Sequence, residues 1–166
     1  KYVPTDITVE GDCSNAAFFE AFNYVGGNVR VIGLKPDTKQ GDAVYADYFG
    51  RLIPDNCLPL EDCPDLAPIM FAMAAEKGGC SFSGTKRLVL KESNRISAMA
   101  KELAKFGATV ESGENRVTVH ANGLHAPGAA LDSHNDHRIA MALSVLATKY
   151  GGTVSGCEAV AKSMPD

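Results

Sequence analysis

Three clusters of charged and polar residues could do chemistry, because each stands where the sequence pattern changes to that of a helix. They are residues 63–65, 91–95 and 134–138. A helix start presents unpaired N–H groups and about half a positive charge, and both favour a bound anion. Lysine and arginine side chains in two of the clusters strengthen this preference. Together the clusters predict a site for a phosphate or a carboxylate.

The two histidines of the third cluster allow a different kind of chemistry. His134 and His137 have the spacing of a metal-binding pair, but Asp136 lies between them, Arg138 follows directly, and no third ligand set with suitable spacing is evident. We therefore expect no metal. A metal-dependent hydrolase that uses His134 and His137 stays open as an alternative, as does a non-catalytic α/β module that binds anions.

The elements that must position these clusters alternate between helix and strand. Segments of helical periodicity are each closed by glycine and followed by a short strand-like run, which is typical of α/β structure. The predicted helices are residues 14–25, 65–77, 96–106 and 137–150, with a weaker one at 42–52. The first predicted strand is residues 29–32, whereas residues 53–63 and 126–133 are predicted to be loops.

Composition narrows the class of protein further. The chain has 166 residues, 45% of them hydrophobic, with a formal net charge of -4. These values indicate a globular domain and exclude a disordered or collagenous chain, and the absence of a basic stretch argues against nucleic-acid binding. No apolar run is long enough to span a membrane. The five scattered cysteines favour reduced thiols, mostly in the core, so we expect a cytoplasmic protein.

Several of these segments resemble one enzyme family, 5-enolpyruvylshikimate-3-phosphate synthase (3-phosphoshikimate 1-carboxyvinyltransferase). Residues 91–96 resemble its K-E-S/T-D-R-I segment, with Asn94 where the family usually has Asp, and residues 135–141 resemble its N-D-H-R-x-A-M block. Further similarities lie at residues 11–19, 40–42, 64–65 and 161–166, in the family's order. The resemblance therefore extends over nearly the whole chain.

The resemblance implies a fold and a domain organisation. The family is built from two similar domains, each made of repeated β-α-β-α-β-β units in an inverse α/β barrel. Residues 1–166 would then be a single-domain fragment, most of the C-terminal domain, and the partner domain would be absent from this chain. A hairpin of the family would be shortened here to the loop at residues 54–63.

The resemblance also implies a reaction, which needs no metal or organic cofactor. The family transfers the enolpyruvyl group of phosphoenolpyruvate to the 5-hydroxyl of shikimate 3-phosphate and releases phosphate, a step in aromatic amino acid biosynthesis. By position, Asp65 would bind the shikimate hydroxyls and could act as a base. Lys91 and Glu92 would form the proton-transfer pair, supported by His137.

Phosphoenolpyruvate would be held by three cations: Arg95, Arg138 and Lys162. The substrates and the missing second domain are the expected partners, and the isolated fragment is expected to be inactive. The related transferase that acts on UDP-N-acetylglucosamine shares architecture and reaction, so it remains an alternative. The residues at 91–92 and 137–138 look more like the shikimate enzyme.

Overall fold

The computed structural model describes residues 2–165. In this part of the chain the α-helices are α1 (Cys13–Ala21), α2 (Tyr45–Arg51), α3 (Ala67–Glu76), α4 (Arg95–Lys105) and α5 (His137–Tyr150). The strands are β1 (Cys57–Pro59), β2 (Gly79–Ser83), β3 (Thr109–Ser112), β4 (Arg116–His120), β5 (Leu131–Asp132) and β6 (Val154–Ser155). Short 3₁₀ segments are Phe22–Val25, Gly41–Val44, Pro64–Leu66, Lys86–Leu90 and Cys157–Lys162.

The middle of the chain forms a four-stranded mixed sheet of order β1-β2-β4-β3. β1 and β2 are parallel, and the pairs β2–β4 and β3–β4 are antiparallel. Along the chain this gives one β-α-β-α-β-β unit, in which α3 and α4 are the two helices. A second, two-stranded parallel sheet joins β5 to β6 through α5. The architecture is therefore mixed α/β, as the sequence predicts.

Helix α3 lies at the centre of the core. Every residue from Ala67 to Ala75 is buried. The helix packs against α1, α4 and α5 and against the four-stranded sheet. A helix that is apolar on all sides is stable only where other elements cover it completely, and α3 has this cover.

The predicted helices are confirmed, with small shifts at their ends. α5 spans the predicted residues 137–150, and α4 ends one residue before the predicted helix end. Gly107 follows α4 with a φ of 96°, the left-handed conformation that closes many helices. The first predicted helix consists of α1 and a 3₁₀ segment, and the weaker one of a 3₁₀ segment and α2.

Three of the strand and loop predictions are wrong. Residues 29–32 form no strand, because no strand among residues 2–165 pairs with them. Conversely, β1 lies within the predicted loop at 53–63, where the prolines had argued against a strand. Pro59 is tolerated because β1 is at the edge of the sheet, while Leu58 is fully buried. The predicted loop at 126–133 contains the short strand β5.

Two further sequence predictions concern cysteines and membranes. All five cysteines are free, and Cys13, Cys63 and Cys80 are buried whereas Cys57 and Cys157 are exposed. Within residues 2–165, no helix has the length and apolar character needed to cross a bilayer.

Candidate active site

Asp65 lies directly before the core helix α3, and its carboxylate forms ion pairs with three cationic side chains. It belongs to the 3₁₀ segment Pro64–Leu66, which leads directly into α3. Its Oδ1 is 2.9 Å from Arg95 Nη1 and 3.0 Å from Lys91 Nζ. Its Oδ2 is 3.2 Å from Arg138 Nη2. The three predicted clusters are therefore joined at this carboxylate.

Arg95 is the first residue of α4, and its guanidinium group is completely buried. Besides Asp65, it donates from Nη2 to Glu92 Oε2 and from Nε to Asp136 Oδ2, both at 2.9 Å. Three carboxylates thus compensate the buried charge from three sides. A substrate anion would have to displace Asp65 or Glu92 to reach this side chain.

Asp136 is a site residue to which the sequence analysis assigned no role. It is 0% exposed and caps α5 by accepting a hydrogen bond from the Arg138 backbone N–H at 3.0 Å. Its other oxygen accepts from Arg95 and, at 3.1 Å, from the Ser93 hydroxyl. An Asp before a helix is a recognisable capping signal in sequence. Its pairing with Arg95, which is 41 positions away, has no local signature.

Arg138 and His137 each have a buried nitrogen that the described residues leave without a hydrogen-bond partner. Nη2 of Arg138 binds Asp65, but Nη1 is buried and has no partner within residues 2–165. The same holds for Nδ1 of His137, whose nearest carboxylate oxygen, on Asp136, is 3.9 Å away. Burial, and next the charge of Arg138, lower the pKa of His137. The neutral imidazole is therefore favoured.

Lys162 and Glu92 form the outer wall of the same region. The ammonium group of Lys162 donates to Glu92 Oε1, which connects the 3₁₀ segment Cys157–Lys162 to the start of α4. An open cavity of about 370 Å³ adjoins this pair, and Asn135, Glu158 and Ala159 complete its lining. A small anion could approach Lys162 through this opening.

Asp65 and Glu92, the two partly exposed carboxylates of the site, are ionised at neutral pH. Burial raises the pKa of Asp65, but the charge of Arg138 and the bonds from Arg95 and Lys91 outweigh it and bring the pKa to about 2. The hydrogen bond from Lys162 lowers the pKa of Glu92 to about 2, against a smaller effect of burial. In this state both groups are strong hydrogen-bond acceptors and weak bases.

Six of the seven predicted site residues thus belong to one connected set of ion pairs: Asp65, Lys91, Glu92, Arg95, Arg138 and Lys162. His137 lies beside this set without a bond to it. Asn94, the departure from the family pattern, caps α4 by accepting from the Ser97 N–H at 3.2 Å.

The metal-site alternative finds no support in the geometry. His134 Nε2 lies 3.0 Å from the buried carboxylate of Glu102, and His137 faces Asp136 instead. Among residues 2–165 no group of three or more His, Cys, Asp or Glu side chains could hold a metal ion.

Comparisons with known proteins show which family the chain is similar to. A family model described as EPSP synthase (3-phosphoshikimate 1-carboxyvinyltransferase) matches residues 55–166. The 3-phosphoshikimate 1-carboxyvinyltransferase of Clostridium acetobutylicum is 35% identical over 179 residues, which cover 97% of this chain and 42% of that protein. Its counterpart in Thiobacillus denitrificans is 36% identical over 190 residues, covering 98% and 43%.

A solved structure of EPSP synthase from Acinetobacter baumannii is similar in fold, with a TM-score of 0.55 and 25% identity. The similarity covers 95% of this chain and 38% of the Acinetobacter chain. The chain thus spans less than half the length of the curated relatives named above. Because the family model matches most of the chain and these relatives match nearly all of it, the chain belongs to the EPSP synthase family.

Proposed function

We propose that residues 1–166 form most of the C-terminal domain of a 3-phosphoshikimate 1-carboxyvinyltransferase. The share of the relatives that the chain covers, 42% and 43%, supports a partial enzyme whose second domain lies outside this sequence. The complete β-α-β-α-β-β unit, followed by the β5-α5-β6 start of another, supports the repeated architecture of an inverse α/β barrel. The relatives named above carry the shikimate enzyme's name, so we propose this substrate rather than UDP-N-acetylglucosamine.

The reaction we propose joins the 5-hydroxyl oxygen of shikimate 3-phosphate to C2 of phosphoenolpyruvate while C3 gains a proton. The resulting tetrahedral intermediate then loses phosphate from C2 and a proton from C3, which restores the carbon–carbon double bond. One observation carries the proposal: carboxylates and cations from three separate helix starts and from residue 162 meet in a single ion-pair set. Such a set offers an acceptor for a hydroxyl proton and cations for a highly charged pair of substrates.

Phosphoenolpyruvate would make its main contacts with Arg138 and Lys162. The buried Nη1 of Arg138, which has no partner in the described part of the chain, is one donor of a forked pair and can bind an anion beside Nη2. Lys162 is 58% exposed at its side chain and can turn from Glu92 to the same anion. Arg95 is buried among three carboxylates, so its charge would attract the anion without direct contact. It would contact the anion only if Asp65 or Glu92 moved away from it.

Binding of the anion would also raise the pKa values of Asp65 and Glu92. Arg138 is the first of the charges that lower the pKa of Asp65, so an anion that draws Arg138 away raises the pKa of Asp65. Asp65 then becomes a better base toward a substrate hydroxyl. Withdrawal of Lys162 has the same effect on Glu92, because the Lys162 hydrogen bond is the main cause of its low pKa. Glu92 and Lys91 would then exchange protons with the reacting carbons and oxygens.

The test is phosphate release from phosphoenolpyruvate and shikimate 3-phosphate by the intact enzyme. Glu92→Gln keeps the shape of the side chain but removes its titratable proton, so turnover should fall roughly 10²-fold or more with little change in either KM. Glu114→Gln, in the exposed turn between β3 and β4, is the matched control and should leave turnover unchanged. Absence of phosphate release by the unmodified enzyme would refute the proposed function.

A second arm of the test uses the chain alone. An active site that is divided between two domains loses orientation and exclusion of water when one is missing. Residues 1–166 alone should therefore show turnover close to the uncatalysed background. Turnover comparable to that of the intact enzyme would mean that the division between the two domains is wrong.

A further inference from the structure

The hydroxyl group of Ser133 lies outside the ion-pair set but connects two segments that contribute to it. Ser133 is 0% exposed. Its Oγ accepts a hydrogen bond from the Asn135 N–H at 3.2 Å and donates one to the Gly156 carbonyl at 2.9 Å. Asn135 directly precedes Asp136, the cap of α5, and Gly156 directly precedes the segment that ends at Lys162. One buried hydroxyl therefore links the supports of Arg138 and Lys162.

The turn before α5 has a conformation that needs support. His134 and Asn135 have φ values of 52° and 55°, and they are the only non-glycine residues with positive φ between residues 2 and 165. This backbone region is unfavourable for residues that carry a Cβ and persists only where neighbouring contacts hold it.

Glu102, a buried side chain of α4, supplies the second support of this turn. Its Oε1 lies 3.0 Å from His134 Nε2, and its Oε2 accepts a hydrogen bond from the Asp132 N–H at 2.9 Å. The carboxylate of Asp132 in turn accepts from the His134 N–H at 2.8 Å. Glu102 thus supports the turn through His134 and Asp132, and Ser133 supports it through the Asn135 amide.

The Gly156 side of the link is also closely fitted. A Cβ on Gly156 would lie 2.4 Å from Ser133 Oγ, and the φ of Gly156 is 73°, so the close approach of the hydroxyl requires glycine here. The Gly156 carbonyl also accepts from the Ala159 N–H at 3.2 Å, the first turn of the segment Cys157–Lys162. The same carbonyl therefore joins the Ser133 hydroxyl to the segment that carries Lys162.

We propose that Ser133 is a positioning residue that fixes Arg138 and Lys162 relative to each other, acting through the Asn135 amide and the Gly156 carbonyl. Because it is fully buried, Ser133 would not itself contact a substrate. The proposal rests on the proposed function, because only an anion held by both cations makes their separation important. Loss of the hydroxyl should loosen both segments and weaken binding of phosphoenolpyruvate more than binding of shikimate 3-phosphate.

The kinetic test compares Ser133→Ala with Ser144→Ala in the intact enzyme. Ser144 also donates its hydroxyl to a backbone carbonyl, that of Ala140 at 2.8 Å, but lies within α5 away from the ion pairs. Ser133→Ala should raise the KM for phosphoenolpyruvate about tenfold, the scale expected when two partly buried backbone groups lose a hydrogen-bond partner. The KM for shikimate 3-phosphate should change less than twofold, and Ser144→Ala should change neither KM. Equal changes in both KM values for Ser133→Ala would overturn the proposal, because a general structural defect has no preference between the substrates.

A second measurement does not depend on catalysis. Amide hydrogen exchange at Asn135 and Ala159 should accelerate in Ser133→Ala and stay unchanged in Ser144→Ala. Unchanged exchange at these two amides would overturn the positioning role, and so would faster exchange accompanied by an unchanged KM for phosphoenolpyruvate. If the unmodified enzyme does not release phosphate, the proposed function fails, while exchange still decides whether Ser133 links the two segments.

Discussion

Replacement of Arg95 by leucine is the most direct test of the buried charge set. Arg95→Leu leaves Asp136 fully buried, with only the Ser93 hydroxyl and the Arg138 N–H as partners. Asp65 and Glu92 are each about one third exposed and keep other cations, so they lose little. The cost therefore comes mainly from Asp136. Removal of one partner of a buried ion pair typically destabilises a protein by about 3–5 kcal/mol.

Urea unfolding followed by circular dichroism measures this loss. With a slope of about 2 kcal/mol per molar urea, the midpoint of Arg95→Leu should fall by roughly 1.5–2.5 M. Arg51→Leu is the control, since it breaks an ion pair whose Asp47 partner is 64% exposed, and it should cost less than about 1 kcal/mol. The double variant Arg95→Leu, Asp136→Asn removes both buried charges but keeps a side chain that can cap α5, so it should recover part of the loss. If Arg95→Leu is no more destabilising than Arg51→Leu, the inference that a buried, unpaired Asp136 is costly is wrong.

Three other predictions concern pH, backbone and anion binding. The pKa values of Asp65 and Glu92, about 2, lie below their ordinary values of 3.8 and 4.5. Their stabilising effect should therefore be complete above about pH 5 and be lost as the pH falls toward 2, and Asp65→Asn should flatten this dependence in urea titrations. Gly156→Ala should destabilise the chain by more than about 1 kcal/mol, whereas Gly128→Ala, where a Cβ meets open space, should leave the thermal midpoint unchanged. Arg138→Lys in the intact enzyme keeps the charge but loses the fork, so calorimetric titration should show a larger loss of affinity for phosphoenolpyruvate than for shikimate 3-phosphate; equal losses would argue against the fork.

The helices were predictable because their signals are local. Periodic apolar positions, a polar cap and a closing glycine occur within a few residues of each other, as in α4 with Asn94 before it and Gly107 after it. The three clusters could be placed at helix starts for the same reason. That they meet at Asp65 follows from packing of α3, α4 and α5 against one another, and the family resemblance was the only guide to it in the sequence.

The features that escaped prediction depend on distant partners. β1 exists because Leu58 packs into the core beside β2, and its proline content alone argues for a loop. Residues 29–32 have strand composition but no neighbour to pair with among residues 2–165. Asp136 and Glu102 are ordinary helix-associated acids in the sequence. Only the fold shows that one neutralises Arg95 and the other holds His134.

The apolar character of α3 on all sides has a consequence for the folding pathway. Such a helix gains nothing from forming early in water, because none of its surfaces is compatible with solvent before α1, α4, α5 and the sheet have collapsed around it. Asp65 stands directly before this helix, so we expect its carboxylate to reach the arginines only once α3 has packed against its neighbours. A partly folded chain would carry every charge of the site without their arrangement, and anion recognition would arise together with the native core.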